Sequence, residues 1–231
     1  MDDHPLIREG LRARLGSQPD LEICGEESAV NEALVSIRAT DPDLVIVDLA
    51  LRNSHGLDLI KRLRAEGSAA KLLVISAYPE SLFAERALRA GANGFIGKEA
   101  LQAHVLEAIR TVLRGERYLS PQMSQRLLAQ ALDGKRTATG VEALTDRELQ
   151  IFELIGRGLS TSEIARQLML SAHTIESHRE KIRRKLKLRN GTELMLHAVQ
   201  WQLAVSQDGA SPISPADAGF RNARRGTGNN R

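Results

Sequence analysis

Three short apolar runs constrain this chain more than any other feature. Leu44-Val-Ile-Val-Asp48, Lys71-Leu-Leu-Val-Ile-Ser76 and Gly94-Phe-Ile96 are too short for helices and apolar on both faces, as strands buried on two sides are. Around them lie stretches with apolar residues at helical spacing: Leu6 to Leu15, Val30 to Ala39, Leu57 to Ala65, Ser81 to Ala90 and Leu101 to Arg114. Leu21-Glu-Ile-Cys24 reads as a further strand. Helices alternating with buried strands predict an open, doubly wound parallel sheet with helices on both faces. Only 3% of the residues are aromatic, so Leu, Ile, Val and Ala must build the core. Cys24, the one cysteine, is expected to be buried in its apolar run; alone it makes neither an internal disulfide nor a structural zinc site.

Such sheets collect their active groups beyond the carboxyl ends of the strands. Those ends are Asp48 and Ser76, with Lys98 just past the last run. Asp2 and Asp3 precede the first helix, where an earlier strand would have ended. Carboxylates crowded on one rim repel each other unless a hard cation joins them, and Mg²⁺ prefers oxygen ligands. With the ion bound, one carboxylate can attack phosphorus while the metal and a lysine stabilise charge on the phosphoryl oxygens.

The second half has a different character. Ile164, Ala165 and Leu168 recur at helical spacing, and Ser171 is placed to cap a following helix. In that helix Ile175, Ile182 and Leu186 form one buried stripe, and Arg179, Lys181, Arg183, Arg184 and Lys185 occupy the other faces. Two short helices with a brief turn, the second buried on one side and basic elsewhere, suit a helix-turn-helix that enters a DNA major groove. Charge supports this. Residues 1–143 carry 18 basic and 20 acidic side chains, whereas residues 171–189 carry seven basic and two acidic. Before the motif, Thr145 and Glu148 form a capping box for a helix with Leu149, Phe152, Leu154 and Ile155. After it, Leu188-Arg-Asn-Gly191 turns the chain into a fourth helix from Thr192 to Leu203.

The motifs Asp2-Asp3-His-Pro-Leu-Ile-Arg8-Glu-Gly10, Pro42-Asp-Leu-Val-Ile-Val-Asp48 and Ala87-Leu-Arg-Ala-Gly91-Ala-Asn-Gly94-Phe-Ile-Gly-Lys98 resemble a two-component receiver domain. Leu144-Thr-Asp-Arg-Glu148, Gly158 to Ala165, Thr174 to His178 and Lys185 to Leu188 resemble a LuxR-type helix-turn-helix domain, in the order found in NarL/FixJ response regulators. The resemblance implies a flavodoxin-like receiver over residues 1–114 and an all-α, four-helix DNA-binding domain over 144–204. A partly helical linker would span 115–143, with a helix from Pro121 to Asp133 that could extend the last receiver helix and a flexible Gly134–Gly140 segment. Residues 205–231, rich in Gly, Ser, Pro, Asn and Arg, read as a disordered tail.

Carried over by position, the resemblance implies that Asp48 is the phosphoacceptor, and that Asp3, Asp48 and the Ala50 carbonyl hold Mg²⁺, with Asp2 acting mainly through water. Ser76 and Lys98 would bind the phosphoryl group; Phe95, having no hydroxyl, would either respond by packing or simply fill the core. In the recognition helix, Thr174, Lys181, Arg183 and Lys185 would contact phosphates. Glu176, Ser177 and Glu180 would face bases, Arg179 either partner, and His178 would position the helix. Leu196, Val199 and Leu203 would form the dimer contact or close the four-helix core. Implied partners are promoter DNA, a cognate sensor histidine kinase, a second copy of the chain and RNA polymerase. Two departures stand out: Arg52 occupies a place where many receivers have proline, and no segment before Asp2 supplies the family's central first strand. An N-terminally truncated, destabilised receiver that phosphorylates poorly is therefore expected.

No apolar run approaches the about 20 residues of a membrane span, and no signal-peptide pattern opens the chain, so the cytoplasm is the expected location. The expected function is a phosphorylation-controlled, dimeric transcriptional regulator whose only catalysis is its own aspartyl phosphorylation and dephosphorylation. The rivals are a constitutive DNA binder with an inert receiver and an Mg²⁺-dependent phosphohydrolase.

Overall fold

In the computed structural model, which describes residues 1–51, 54–133 and 140–207, the N-terminal region pairs three strands in parallel. Helices α1 (Pro5–Gly16) and α2 (Val30–Thr40) lead to β1 (Leu44–Asp48). Then come α3 (Gly56–Ala65), β2 (Lys71–Ser76), α4 (Glu80–Ala90), β3 (Gly94–Gly97) and α5 (Leu101–Leu113). The strand order is β1-β2-β3, with Asp48 opposite Ile75 and Ser76 opposite Gly97. Successive strand residues point to opposite faces. Leu72 and Val74 therefore join one core with Val47, Leu59, Ile60 and Phe83, while Leu73 and Ile75 join another with Ile96, Val105, Ile109 and Val112. Phe95 is fully buried in the first of these.

Two expectations fail beside β1. Residues 21–27 are not a strand, and Cys24 is exposed. The physical reason is shared: a ladder needs a neighbour, and this segment has none. Along the edge of β1 away from β2, Met1 is what bonds to the strand among the described residues, donating to the Ile46 carbonyl at 3.0 Å and accepting from the Asp48 amide at 3.0 Å. On the other side the Asp2 amide donates to Glu27 O at 3.2 Å. Between β1 and residues 21–25 lies a cavity of about 500 Å³, lined in part by Leu11, Leu15, Leu21, Ile46 and Ile75. With no wall to pack against, Ile23 is 36% exposed; on the outer side of α1, Leu6 is 78% exposed.

Helix α6 (Pro121–Asp133) does not extend α5. The chain turns through Arg114–Ser120, where the Tyr118 carbonyl accepts the Phe95 amide at 2.9 Å beside β3. Most of the expected Gly134–Gly140 linker, the tail beyond Gln207 and Arg52 fall outside the described residues.

Among the described residues the C-terminal region has four helices, α7 (Asp146–Gly156), α8 (Thr161–Gln167), α9 (Ala172–Leu186) and α10 (Gly191–Gln207). Local chemistry sets their starts. Thr145 with Glu148 and Ser160 with Glu163 form capping boxes, and Ser171 accepts the Thr174 amide. The turns after α8 and α9 place Met169 and Lys187 in the left-handed region, at φ 52° and 56°. Leu149, Phe152, Ile164, Ile175, Ile182 and Leu194 fill the core. Gly156 brings α7 against α10: a Cβ there would come within 2.5 Å of the Ala198 carbonyl oxygen.

The two regions dock through α3, α4 and α7. Asp146 accepts from Lys61 at 2.6 Å and from Arg86 at 2.9 Å, and Arg86 also caps the carbonyls of Glu142 and Leu144. Among the described residues no helix is long and apolar enough to cross a membrane.

Candidate functional site

Asp48 ends β1 at 1% exposure, with its carboxylate on the rim beyond the strand ends. The turn that follows is tight. Ala50 donates its amide to Asp48 Oδ1 at 3.1 Å and bridges to His55, and a Cβ on Gly56 would collide with the Asp48 carbonyl. Glycine at this position lets α3 begin directly behind the carboxylate. Lys98, just past β3, sets its ammonium 2.6 Å from Asp48 Oδ2 and 2.9 Å from Asp2 Oδ2. Burial pushes the Asp48 carboxyl up from its ordinary value, and Lys98 pulls it back only in part. For Lys98 the balance is reversed: burial disfavours its charge, but Asp48 and Asp2 outweigh that and raise its pKa.

His4 completes the rim, a residue the sequence reading passed over. Its Nδ1 lies 3.1 Å from Asp2 Oδ1, 3.0 Å from Asp3 Oδ1 and 3.9 Å from Asp48 Oδ2. One ligand atom from each of Asp2, Asp3, His4 and Asp48 falls within 4.8 Å of the others. A donor set dominated by carboxylates fits a hard divalent cation. The Ala50 amide holds Asp48 Oδ1, which fixes the residue beside the carboxylates. Ser76 is fully buried, and its hydroxyl accepts the Tyr78 amide at 3.0 Å.

On the second region, α9 buries Ile175 and Ile182 and turns its other side to solvent. Ser177, Glu180 and Lys181 lie on that outer side, with Arg184 in line one turn further on. Glu176 is exposed but accepts from the Thr161 hydroxyl at 2.6 Å, tying α8 to α9. The Thr174 hydroxyl is 2.8 Å from that of Ser171. Arg179 and Arg183 are half-buried beside Glu176 and Glu180, at 3.6 and 3.1 Å. His178 is half-buried, and burial, helped by Lys181, lowers its pKa. Lys185 turns inward. Its ammonium bonds Glu148 at 2.6 Å and the Ala143 carbonyl at 3.1 Å, so it braces α9 on α7. On α10, Leu196 and Leu203 are 57% and 54% exposed and Val199 is half-buried, while Leu194, Ala198, Trp201 and Val205 close the core.

A buried aspartate at a strand end, matched with a lysine and an acidic pair, and followed by a helix-turn-helix, defines a response regulator in which an α/β input domain precedes a DNA-binding output domain. Comparisons agree. Residues 1–110 match the response regulator receiver domain model, and residues 142–198 match that of the bacterial regulatory proteins of the luxR family. The response regulator UvrY of Escherichia coli is 30% identical over 200 residues, covering 87% of this chain and 92% of UvrY. The response regulator protein VraR of Staphylococcus aureus is 29% identical over 203 residues, covering 88% and 96%. Among solved structures, a LuxR-family two-component response regulator from Aurantimonas sp. is similar at 33% identity and TM-score 0.53, over 57% of this chain and 94% of that one. RcsB from Salmonella enterica, solved on promoter rprA with the phosphomimetic BeF3−, shares the fold at 22% identity and TM-score 0.67, over 86% and 95%. The chain belongs to the two-component response regulators with a LuxR-type DNA-binding domain.

Proposed function

We propose that Asp48 accepts a phosphoryl group from a partner histidine kinase and that this modification controls promoter binding by a dimer of the chain. The observation that carries the reading is the setting of Asp48: buried, at a strand end, 2.6 Å from Lys98 and next to Asp2. In the reaction an Asp48 oxygen bonds to phosphorus, the bond from phosphorus to the donor nitrogen breaks, and the donor imidazole is released. Asp2, Asp3 and Asp48 would hold Mg²⁺, with His4 at their edge; the ion would neutralise charge on the phosphoryl oxygens. Lys98 moves from the carboxylates to a phosphoryl oxygen, and the Ser76 hydroxyl, still accepting from the Tyr78 amide, donates its proton to another. Phe95, packed behind the same strand ends, feels both shifts.

The output would use the outer side of α9. Lys181 and Arg184, with Thr174 and Arg183 at its margins, supply phosphate contacts, and Ser177, Glu180 and Glu176 face the base edges. The exposed side of α10 would pair two copies, setting two recognition helices on adjacent half-sites. RNA polymerase would then be met at the promoter.

Treatment with acetyl phosphate and Mg²⁺ should add one phosphoryl mass to the wild type and none to Asp48→Asn, and should change promoter affinity only in the wild type. The open cavity beside β1 favours a second reading, a constitutive DNA binder with an inert receiver. Equal DNA affinity for treated wild type, untreated wild type and Asp48→Asn would select it.

A further inference from the structure

The domain boundary encloses a polar cluster that the phosphoacceptor chemistry leaves unused. Glu153 projects from α7 towards the receiver and is 3% exposed. Its Oε2 accepts from the Tyr78 hydroxyl at 3.0 Å, and Arg157 donates to that same hydroxyl at 3.0 Å. Glu153 Oε1 is buried with no hydrogen-bond partner among the described residues. His55, the N-cap of α3, brings Nε2 to 3.8 Å from Glu153 Oε2, too far for a hydrogen bond. Because His55 Nδ1 accepts the Leu57 amide at 3.2 Å, the neutral ring carries its proton on Nε2, facing the carboxyl group.

Apolar surface seals the cluster. The Tyr78 ring stacks on Phe83 at 4.6 Å and lies 6.1 Å from Trp201 of α10. The charges of Arg157 and of Arg86 on α4 act on Glu153, and those of Asp58, Asp146, Arg157 and Lys61 act on His55. Behind Trp201, α10 contributes His197, whose ring lies 5.8 Å from Phe152. A carboxylate anion here would be desolvated with one hydroxyl as its hydrogen-bond donor, and one such bond does not offset the loss of hydration. Protonation removes the conflict.

We propose that docking of the receiver on the DNA-binding domain takes up a proton at Glu153, making this interface a latch that loosens as pH rises towards neutrality. Burial pushes the Glu153 carboxyl up to about 7, with Tyr78 and then Arg157 pulling it back in part. Burial also lowers His55 to about 4 and raises the Tyr78 hydroxyl, so both stay neutral across the working range. Once undocked, Glu153 returns towards its ordinary 4.5. A pKa raised in the docked state means that docking is fully favoured below 4.5, weakens as pH climbs to about 7 and is level above that. The whole span changes the docking constant by roughly a few hundredfold. Solvent-exposed Lys181, Leu196 and Leu203 show that the docked form covers neither the outer side of α9 nor that of α10. The latch therefore sets how the domains are oriented. It rests on docking alone, independent of any modification of Asp48.

The chain supplies its own reporter, since Trp201 is its one tryptophan and is 8% exposed. In the unphosphorylated full-length protein, Trp201 emission should move to longer wavelength and become more quenchable by acrylamide as pH rises from about 5 to 7, then level off. Far-ultraviolet circular dichroism should stay constant, and the radius of gyration from X-ray scattering should grow over the same range. Glu153→Gln should remain docked with a flat profile. Tyr78→Phe, which removes the hydrogen bond favouring the anion, should carry the transition to higher pH. A flat wild-type profile overturns the proposal, as does a transition that persists in Glu153→Gln, which would assign the titration to another group; a transition that Tyr78→Phe leaves in place overturns the role given to the Tyr78 hydrogen bond. Phosphorylation competence is measured separately, so neither result decides the other.

Discussion

Asp48 and Lys98 show how single residues set the chemistry. After burial, Lys98 is the largest influence on the Asp48 carboxyl, and it favours the ionised form needed for attack. Lys98→Met should therefore raise the Asp48 pKa, slow phosphorylation by acetyl phosphate and move the acid limb of its pH–rate profile to higher pH. An unmoved limb would assign it to another group. On α9 the same scale divides neighbours. Lys181→Ala and Arg184→Ala should each weaken binding to all DNA sequences and lower the slope of log affinity against log salt by about one. Lys185→Ala should leave that slope in place. It removes the 2.6 Å pair with Glu148, and should cost about 1–2 kcal/mol in denaturant unfolding. Sequence placed all three lysine and arginine side chains on a basic helix. Which of them turns inward depends on Glu148 and Ala143, more than 35 positions earlier in the chain.

Among the elements, the helices were legible from caps and apolar spacing, and the three strands from their short length and unbroken apolar composition. The failure at residues 21–24 has a definite cause. A strand is a property of two segments, and Leu21 to Cys24 finds no partner to ladder with. The unpaired side of β1 and the cavity beside it fit one extended apolar segment. Joining about five or six apolar residues, a usual strand length, ahead of Met1 should fill that space, bury Cys24 and raise the midpoint of receiver unfolding by at least about 4 °C. Thiol labelling of Cys24 and thermal melts check both outcomes; unchanged labelling and melting would show that the space is not a strand site.

For the whole molecule, α10 has two jobs on two sides: Leu194, Ala198, Trp201 and Val205 close the core, and Leu196 and Leu203 stay outside it. Leu196→Asp with Leu203→Asp should leave stability within about 0.5 kcal/mol, as exposed substitutions usually do, while abolishing self-association in sedimentation and weakening binding to paired half-sites. Dimerisation that survives both changes would move the contact elsewhere. By itself the sequence determined the layered receiver, the four-helix reader, the acidic rim and the basic helix, because each is written in local spacing and in residues at strand or helix ends. Tertiary structure alone decided that His4 joins the rim, that Lys185 braces α7, and that Glu153, Tyr78, Arg157 and His55 meet between the domains. Those partners come from separate parts of the chain, and desolvation gives them their character only once folding has removed the water.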